Sequence, residues 1–220
     1  MGTLRQLKIE YVFQSIFDRE GNIYAREALM RPQDMTVTQL IEKYFRKGKL
    51  HVLEVATFFG ATQAFFMRGY TEKLSINSFP CEIFTKEEVK AYMDYYGKDN
   101  SRLIIELLEY PIFSEKLGRK KRQLADLNAN QIAIDDFGNG FNDYSVVSFT
   151  NPDIIKIDRS LLVGIDHDLN KQNNCKAIID TFHLEKRLVL AEGIETEAEY
   201  TCLMELGADL FQGYYLDMPH

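Results

Sequence analysis

The sequence has few of the residues that cross-link or interrupt small domains. Only three cysteines occur among 220 residues, with no CxxC spacing and no cysteine–histidine cluster. This pattern argues against a disulfide framework or a thiolate zinc site, and it favours a reducing cytoplasm. The five prolines and 13 glycines are too scattered to form a linker. We therefore expect a single domain over residues 1–220.

Other absences narrow the classes of function. The N-terminal segment shows no signal-peptide pattern, and no uncharged apolar run approaches the roughly 18 to 20 residues of a membrane span. The net charge of −7 argues against broad binding to DNA, to RNA or to an anionic membrane. None of the four histidines is paired with a serine or cysteine in the manner of a catalytic triad.

Short apolar runs alternate with longer amphipathic stretches along the chain. The runs IEYVFQSIFD and NIYAREAL, separated by a turn at 19–22, predict an early hairpin. Helical spacing extends from 38 to 69, and a further helix is expected at about 174–182. Thr85 and Glu88 predict a capping box, and Gly207 is expected to end a helix. The basic residues 119–122 are expected on a solvated helix face.

Repeated strand-then-helix units predict a parallel sheet with right-handed crossovers. The runs IAI, LVLA and IIKI are apolar without alternation, which is typical of strands buried on both faces. About seven or eight strands are predicted, and this number fits an α/β barrel of the triosephosphate-isomerase type. A doubly wound open sheet would give similar local patterns, but neither GxGxxG nor GxxxxGK[ST] follows a predicted strand.

Nearly every predicted strand ends in a side chain with metal-binding or acid–base chemistry. Taken singly, such a residue is more often a helix cap or a surface charge, so the prediction rests on the recurrence. Strand ends of a parallel barrel converge on one face, and oxygen ligands there suit Mg²⁺, Mn²⁺ or Ca²⁺. Such ions support metal-assisted hydrolysis of a phosphoester. The residues are Glu27, Asn77, Glu106, Asp135, Asp136, Lys156, Glu192 and Gln212.

At these positions the sequence resembles the EAL-domain family of bacterial cyclic-di-GMP phosphodiesterases. The family signature is present as Glu27-Ala28-Leu29, and DDFGNG at 135–140 is similar to the family's DDFGTG. The segments IIKIDRSLL, LAEGIETEAE and LGADLFQGYY match later motifs of the family. The resemblance implies a barrel with an antiparallel first strand and hydrolysis of cyclic-di-GMP to linear pGpG. It also implies two Mg²⁺ or Mn²⁺ ions and a homodimer.

The resemblance further implies a ligand set and catalytic groups. One metal would be bound by Glu27, Asn77, Glu106 and Asp135. Asp135 would bridge to a second metal completed by Asp136 and, directly or through water, by Glu192. Lys156 would contact the catalytic water, and Glu192 is a candidate for its general base.

Substrate and loop contacts are implied as well. Arg31 would contact a substrate phosphate, and Gln212 would lie at the same site. The loop that begins at Asp136 and includes Asn139 would couple the metal site to dimerisation, with support from Glu109 and with Glu195 in a similar segment.

Two other functions stay open on the sequence. Asn139 and Leu108 replace threonines of the family's DDFGTG and LEITE motifs, so one alternative is a weakly catalytic receptor for cyclic-di-GMP. The other is a scaffold that signals through protein contacts. The sequence stops at His220, and we expect the domain to lack the final helix that the resemblance implies. A fused or separate sensor or GGDEF partner is also expected.

Overall fold

The computed structural model describes residues 8–96, 100–110, 114–138 and 144–220. Eight strands close into a barrel in the order of the sequence. β1 is antiparallel to both β2 and β8, and all other neighbours are parallel. The predicted barrel, its antiparallel first strand and the early hairpin are thus confirmed. The strands are β1 Ile9–Asp18, β2 Ile23–Pro32, β3 Lys73–Ser78, β4 Leu103–Leu107, β5 Gln131–Phe137, β6 Ile154–Ile157, β7 Leu188–Ala191 and β8 Leu210–Phe211.

Helices surround the barrel and begin and end largely where local chemistry directs. The predicted capping box is present, because Thr85 N donates to Glu88 and Glu88 N donates to Thr85 Oγ1. Gly207 ends the last described helix with a left-handed backbone, as predicted. The helices are α1 Val37–Arg46, α2 Leu50–Met67, α3 Lys86–Tyr96, α4 Glu115–Leu127, α5 Tyr144–Thr150, α6 Arg159–Leu162, α7 Leu169–Leu184 and α8 Glu197–Leu206.

Three helix predictions need correction. The helical pattern of 38–69 is two helices, because the chain turns at 47–49 with Gly48 at a φ of 61°. α7 starts earlier than expected, since Asp168 caps it by accepting from the backbone of Asn170 and Lys171. The basic stretch 119–122 is not wholly solvated, because Lys121 is buried against Glu54 of α2.

α2 passes a length and composition test for a membrane span, since it contains 18 residues of mean hydropathy 1.2. Core helices of globular domains pass the same test, and nearly half of this helix is buried inside the protein. Leu53, Phe58 and Phe65 join the core between helices and sheet, and Glu54 accepts a hydrogen bond from Phe79 N at 2.9 Å. The helix is therefore part of the layer that packs on the barrel.

The barrel interior is layered, and this layering places the candidate site. An apolar floor is built by one inward side chain from each of seven strands, namely Ile16, Ala25, Ile104, Ala133, Ile154, Leu190 and Leu210. Because strand side chains alternate, the residue two positions further toward the carboxyl end of each parallel strand faces the same interior. These next residues are Glu27, Glu106, Asp135, Lys156, Glu192 and Gln212. The floor therefore carries a polar layer above it.

Candidate metal centre at the carboxyl end of the barrel

Lys156 lies at the middle of the polar layer. Its side chain is 1% exposed, and its Nζ lies 2.5 Å from Glu106 Oε1, 3.0 Å from Asp135 Oδ1 and 3.1 Å from Glu192 Oε2. Glu27 Oε2 is 3.7 Å away. Burial by itself would lower the pKa of Lys156, but the surrounding carboxylates outweigh burial and raise it above its ordinary value. Lys156 is therefore held as a cation.

Amide side chains flank the carboxylates. Asn77 Nδ2 donates to Glu27 Oε1 at 2.9 Å. The side-chain oxygen of Asn77 is then the atom that could bind a metal. Gln212 Nε2 donates to Glu27 Oε2 at 2.7 Å and lies 3.2 Å from Gln14 Oε1. The Gln212 Oε1 atom is buried and accepts no hydrogen bond from the described part of the chain. These contacts fix Glu27 from both sides.

Two consecutive aspartates reach the site because β5 is irregular at its end. In a regular strand Asp135 and Asp136 would point to opposite faces of the sheet. The pairing of β5 with β6 shifts register between Ile134 and Phe137, and Asp136 has a φ of 51°. This left-handed conformation is uncommon for a residue other than glycine. As a result, Asp135, Asp136 and Glu192 bring carboxylate oxygens within 4.8 Å of one another.

The crowding of carboxylates raises their pKa values. Burial, followed by the charges of Glu27 and other neighbours, raises the pKa of Glu106 well above its usual range. Burial and then the charge of Asp135 raise the pKa of Asp136 to about 6. Burial also raises the pKa of Glu192 to about 8, although Lys156 acts in the opposite direction. Such shifts indicate a site whose charge is not balanced by the protein alone.

The chemistry of the donor set fits a hard divalent cation. Five carboxylates and an amide oxygen lie around a single lysine, and no sulfur or imidazole ligand is among them. Carboxylate and amide oxygens are the ligands that Mg²⁺, Mn²⁺ and Ca²⁺ prefer. The buried, unpaired oxygen of Gln212 is a further acceptor for water bound at such a centre.

The remaining predicted site residues lie at the margin of this cluster. Arg31 is exposed, and its guanidinium donates to Met30 O at 2.9 Å rather than reaching the carboxylates. Glu109 is close enough to Asp136 to raise its pKa. Glu195 pairs with Arg159 at 2.8 Å. Asn139 lies outside the described residues.

Sequence reasoning missed three groups that hold the cluster. Ser75 Oγ donates to Glu106 Oε2 at 2.8 Å, and Gln14 approaches Gln212 from the antiparallel strand β1. Arg159 contacts the loop that carries Glu192. Ser75 stands two residues before Asn77, so strand alternation was a usable signal for it. Gln14 and Arg159 act across long sequence separations, and no local pattern marks them.

The chain is similar to known proteins in sequence and in fold. The EAL domain matches residues 2–219 of the chain. The chain belongs to the EAL domain family. Its similarity to the cyclic di-GMP phosphodiesterase TpdA of Vibrio parahaemolyticus is 29% identity over 213 residues, which cover 95% of this chain and 36% of TpdA. The chain thus spans about a third of the length of that relative.

Solved EAL-domain structures share the fold. A standalone EAL protein of Vibrio cholerae, in a c-di-GMP bound form, aligns with a TM-score of 0.85 at 25% identity over 96% of this chain and 91% of the other. Klebsiella pneumoniae BlrP1, in a manganese and c-di-GMP complex, aligns with a TM-score of 0.85 at 24% identity, covering 97% of this chain and 56% of BlrP1. The eight-stranded barrel is therefore the EAL-family barrel.

Proposed function

We propose that this EAL domain hydrolyses one phosphodiester of cyclic-di-GMP to give linear pGpG, using two bound Mg²⁺ or Mn²⁺ ions. The observation that carries the proposal is the excess of carboxylates over cations in the polar layer of the barrel. Four carboxylates lie within 3.7 Å of Lys156 Nζ, and Asp136 adds a fifth beside Asp135. TpdA, which is named as a cyclic di-GMP phosphodiesterase, supports the choice of substrate.

The proposed ligands divide into two sets that share one residue. Glu27, Asn77, Glu106 and Asp135 would hold one ion. Asp135, Asp136 and, directly or through water, Glu192 would hold the other. Bound ions of this kind lower the pKa of water and neutralise charge on a phosphoryl group. BlrP1 forms a complex with manganese and cyclic-di-GMP, which supports a divalent ion as the cofactor of the proposed reaction.

Lys156 and Glu192 are the proposed catalytic pair. Their side chains are 3.1 Å apart, so one water beside them contacts both. Lys156 donates a hydrogen bond to this water, and Glu192 takes its proton as the oxygen attacks phosphorus. The bond between phosphorus and the ribose oxygen then breaks, and the leaving oxygen takes a proton from solvent. A lysine fixed as a cation also stabilises charge that develops on the phosphoryl oxygens.

Further proposed roles concern the substrate and the assembly. Arg31, four residues beyond Glu27 on β2, is exposed, and we propose that its guanidinium contacts a substrate phosphate. Gln212 orients Glu27 through the 2.7 Å hydrogen bond. Glu109 and Glu195 would support the loops on either side, and Asn139 would belong to the loop after Asp136. We further propose that the domain forms a homodimer in the cytoplasm and works with a fused or separate sensor or GGDEF partner.

The test is incubation of the purified protein with cyclic-di-GMP and Mn²⁺ or Mg²⁺, with chromatography of the products. The matched variants are Glu27→Ala, at the metal centre, and Glu10→Ala, on the exposed side of the neighbouring strand β1. We expect pGpG from the wild type and from Glu10→Ala, and loss of product with Glu27→Ala or with chelator.

The other outcomes separate the alternatives. Saturable binding of cyclic-di-GMP without product would make the domain a receptor. Neither binding nor product would contradict both and favour a protein-contact scaffold. Sedimentation of the same samples tests the homodimer independently of catalysis.

A further inference from the structure

The loop that carries Glu192 is held at alternate residues. Glu192 N donates to Ile157 O of β6 at 3.3 Å, and Ile194 N donates to Gln212 O beyond β8 at 3.0 Å. Between them stands Gly193, whose φ is 72°. Its carbonyl oxygen accepts a hydrogen bond from Arg159 Nη1. The backbone on both sides of Glu192 is therefore tied to neighbouring segments.

Arg159 also contacts two carboxylates, and we call its contacts with Gly193, Glu195 and Glu199 the Arg159 clasp. Its Nη2 lies 2.8 Å from Glu195 Oε2, and its Nη1 lies 3.5 Å from Glu199 Oε2. Glu199 is buried, and it accepts hydrogen bonds from Glu195 N at 2.9 Å and from Gly164 N at 3.1 Å. A planar guanidinium can satisfy a carbonyl and two carboxylates at once, whereas an ammonium cannot match that geometry.

The glycine in this loop is required by the arginine. A Cβ at Gly193 would lie 2.7 Å from Arg159 Cδ and 2.8 Å from its Cβ. The guanidinium stem thus lies directly against the loop backbone, and a side chain at Gly193 would displace it. Both the positive φ and the close approach favour glycine here.

Arg159 also follows Lys156 closely in the chain. Lys156 ends the inward face of β6, Asp158 caps α6, and Arg159 is the first residue of that helix. One short segment therefore supplies the lysine and also fixes the loop of its partner Glu192. The 3.1 Å separation of Lys156 Nζ from Glu192 Oε2 depends on both ends of this segment.

We propose that Arg159 is a positioning residue that sets the Glu192 carboxylate against Lys156 and Asp135. Its proposed action runs through its contacts with the Gly193 carbonyl and Glu195. Outer contacts of this kind orient the groups that bind metal, and their loss typically weakens metal binding about 10- to 100-fold. The inference deepens the proposed function at the same site and rests on it for the catalytic effect.

The chain offers a matched control at the opposite end of the same two strands. Arg187 lies just before β7, donates to Pro152 O at 2.5 Å and to Asn151 Oδ1 at 3.1 Å, and so ties the loop before β6. Arg187 also pairs with Glu185 at 2.7 Å, so its substitution removes an equivalent set of arginine contacts away from the polar layer of the barrel. A purely structural role for Arg159 predicts that both arginines behave alike.

The experiment compares Arg159→Gln, Arg159→Lys and Arg187→Gln. Mn²⁺ binding is followed by electron paramagnetic resonance without nucleotide, and amide exchange of residues 193–195 is followed in metal-free protein. We expect Arg159→Gln to weaken Mn²⁺ binding about tenfold and to speed exchange in the loop. Arg187→Gln should leave both unchanged, even if it lowers the melting temperature as much. Arg159→Lys should be intermediate, and it replaces Arg159→Gln if that variant does not fold.

Catalysis gives a second readout. We expect Arg159→Gln to lower kcat for cyclic-di-GMP with KM little changed, since substrate contacts remain. Unchanged Mn²⁺ affinity in Arg159→Gln, or an equal loss in Arg187→Gln, would overturn the proposal. If the wild type binds Mn²⁺ but does not hydrolyse cyclic-di-GMP, only the proposed function fails. If the wild type binds no Mn²⁺, amide exchange at residues 193–195 decides. Faster exchange in Arg159→Gln but not in Arg187→Gln supports the proposal, and the same exchange rate in both variants overturns it.

Discussion

Two lysines are buried in the described part of the chain, and their surroundings differ in charge. Lys121 lies outside the barrel, between α4 and α2, with a side chain 8% exposed. Lys156 lies inside the barrel and is 1% exposed. Among the described residues, Lys121 pairs with one carboxylate, that of Glu54 at 3.2 Å, whereas Lys156 pairs with four. The charge of Lys121 is thus balanced by its one carboxylate partner, whereas the carboxylates around Lys156 outnumber it.

The Lys121 pair is closed upon itself. Lys121 Nζ donates to Glu54 Oε1 and to Ser78 Oγ, and Ser78 Oγ donates to Glu54 at 2.5 Å. The second oxygen of Glu54 accepts from Phe79 N at 2.9 Å. Every polar group has a partner, so nothing in the network calls for a cation. Around Lys156, by contrast, the carboxylates exceed the lysine by three negative charges when all are ionised. Such an excess in a buried site is tolerated when metal ions or protons neutralise it.

The largest expected effect concerns the balanced pair. Lys121→Met removes one member and leaves the Glu54 charge buried, so we expect the free energy of unfolding to fall by about 3 to 5 kcal/mol. Chemical denaturation measures this change. The double variant Lys121→Met with Glu54→Leu should recover most of the loss, because neither charge then remains. A single variant as stable as the wild type would contradict the assignment of this pair to the fold.

Substitution of Lys156, in the cluster with excess carboxylates, should lower activity. Lys156→Met removes the proposed donor to the catalytic water, and we expect kcat for cyclic-di-GMP hydrolysis to fall about 10²- to 10³-fold. Steady-state kinetics at saturating Mn²⁺ measures it. Lys121→Leu, assayed at a temperature where it is folded, is the control for loss of a buried lysine. Equal losses in both variants would remove the distinction between the two sites.

Metal addition should stabilise the protein through the cluster alone. At a Mn²⁺ concentration about 100 times its Kd, mass action predicts about 2.7 kcal/mol of added stability. The same gain is expected in Lys121→Met, because its site is separate. Asp135→Asn replaces the proposed shared ligand and should abolish most of the gain. Thermal melts with and without Mn²⁺ make the comparison, and a gain retained in Asp135→Asn would place the binding elsewhere.

The two regions also differ in what the sequence reveals. Glu27, Glu106, Asp135, Lys156 and Glu192 could be predicted to meet, because each stands at the end of a predicted strand run and the carboxyl ends of parallel strands meet on one face. In the structure β2 continues past Glu27 to Pro32. The burial of Lys121 could not be predicted, since its basic neighbours indicate a solvated helix and its partner lies 67 residues away.

Backbone geometry is a second feature of the site that could not be predicted from the sequence. That Asp136 joins Asp135 at one site depends on a left-handed backbone at the end of β5, which no residue pattern specifies. Arg159 is hidden for a related reason, because its contact with the Gly193 carbonyl spans 34 residues and needs a close approach to the backbone. The local sequence therefore predicts which side chains at the strand ends carry the chemistry. It does not predict the backbone conformation and the distant contacts that position them.

The smallest expected effect concerns His51, which lies one turn before Glu54 on α2. The charge of this side chain depends on pH. Its Nδ1 lies 3.2 Å from Glu82 and its Nε2 lies 2.9 Å from Glu88, so both nitrogens face carboxylates. Burial acts to lower the pKa of His51, but the hydrogen bond and charge of Glu88, with those of Glu82, raise it above 6.5. A raised folded-state pKa adds stability that is complete below the unfolded value and is lost as pH rises through the folded value.

We therefore expect the wild type to melt above His51→Gln at acidic pH, with a difference that shrinks as pH rises above about 6.5. Melting curves of both proteins across this range measure it, with His167→Gln, on an almost fully exposed ring, as the control. The effect should be small because the ring is partly solvated. A difference that grew with pH would mean that the neutral ring is the bound form, and the carboxylates of Glu82 and Glu88 would then need another cation.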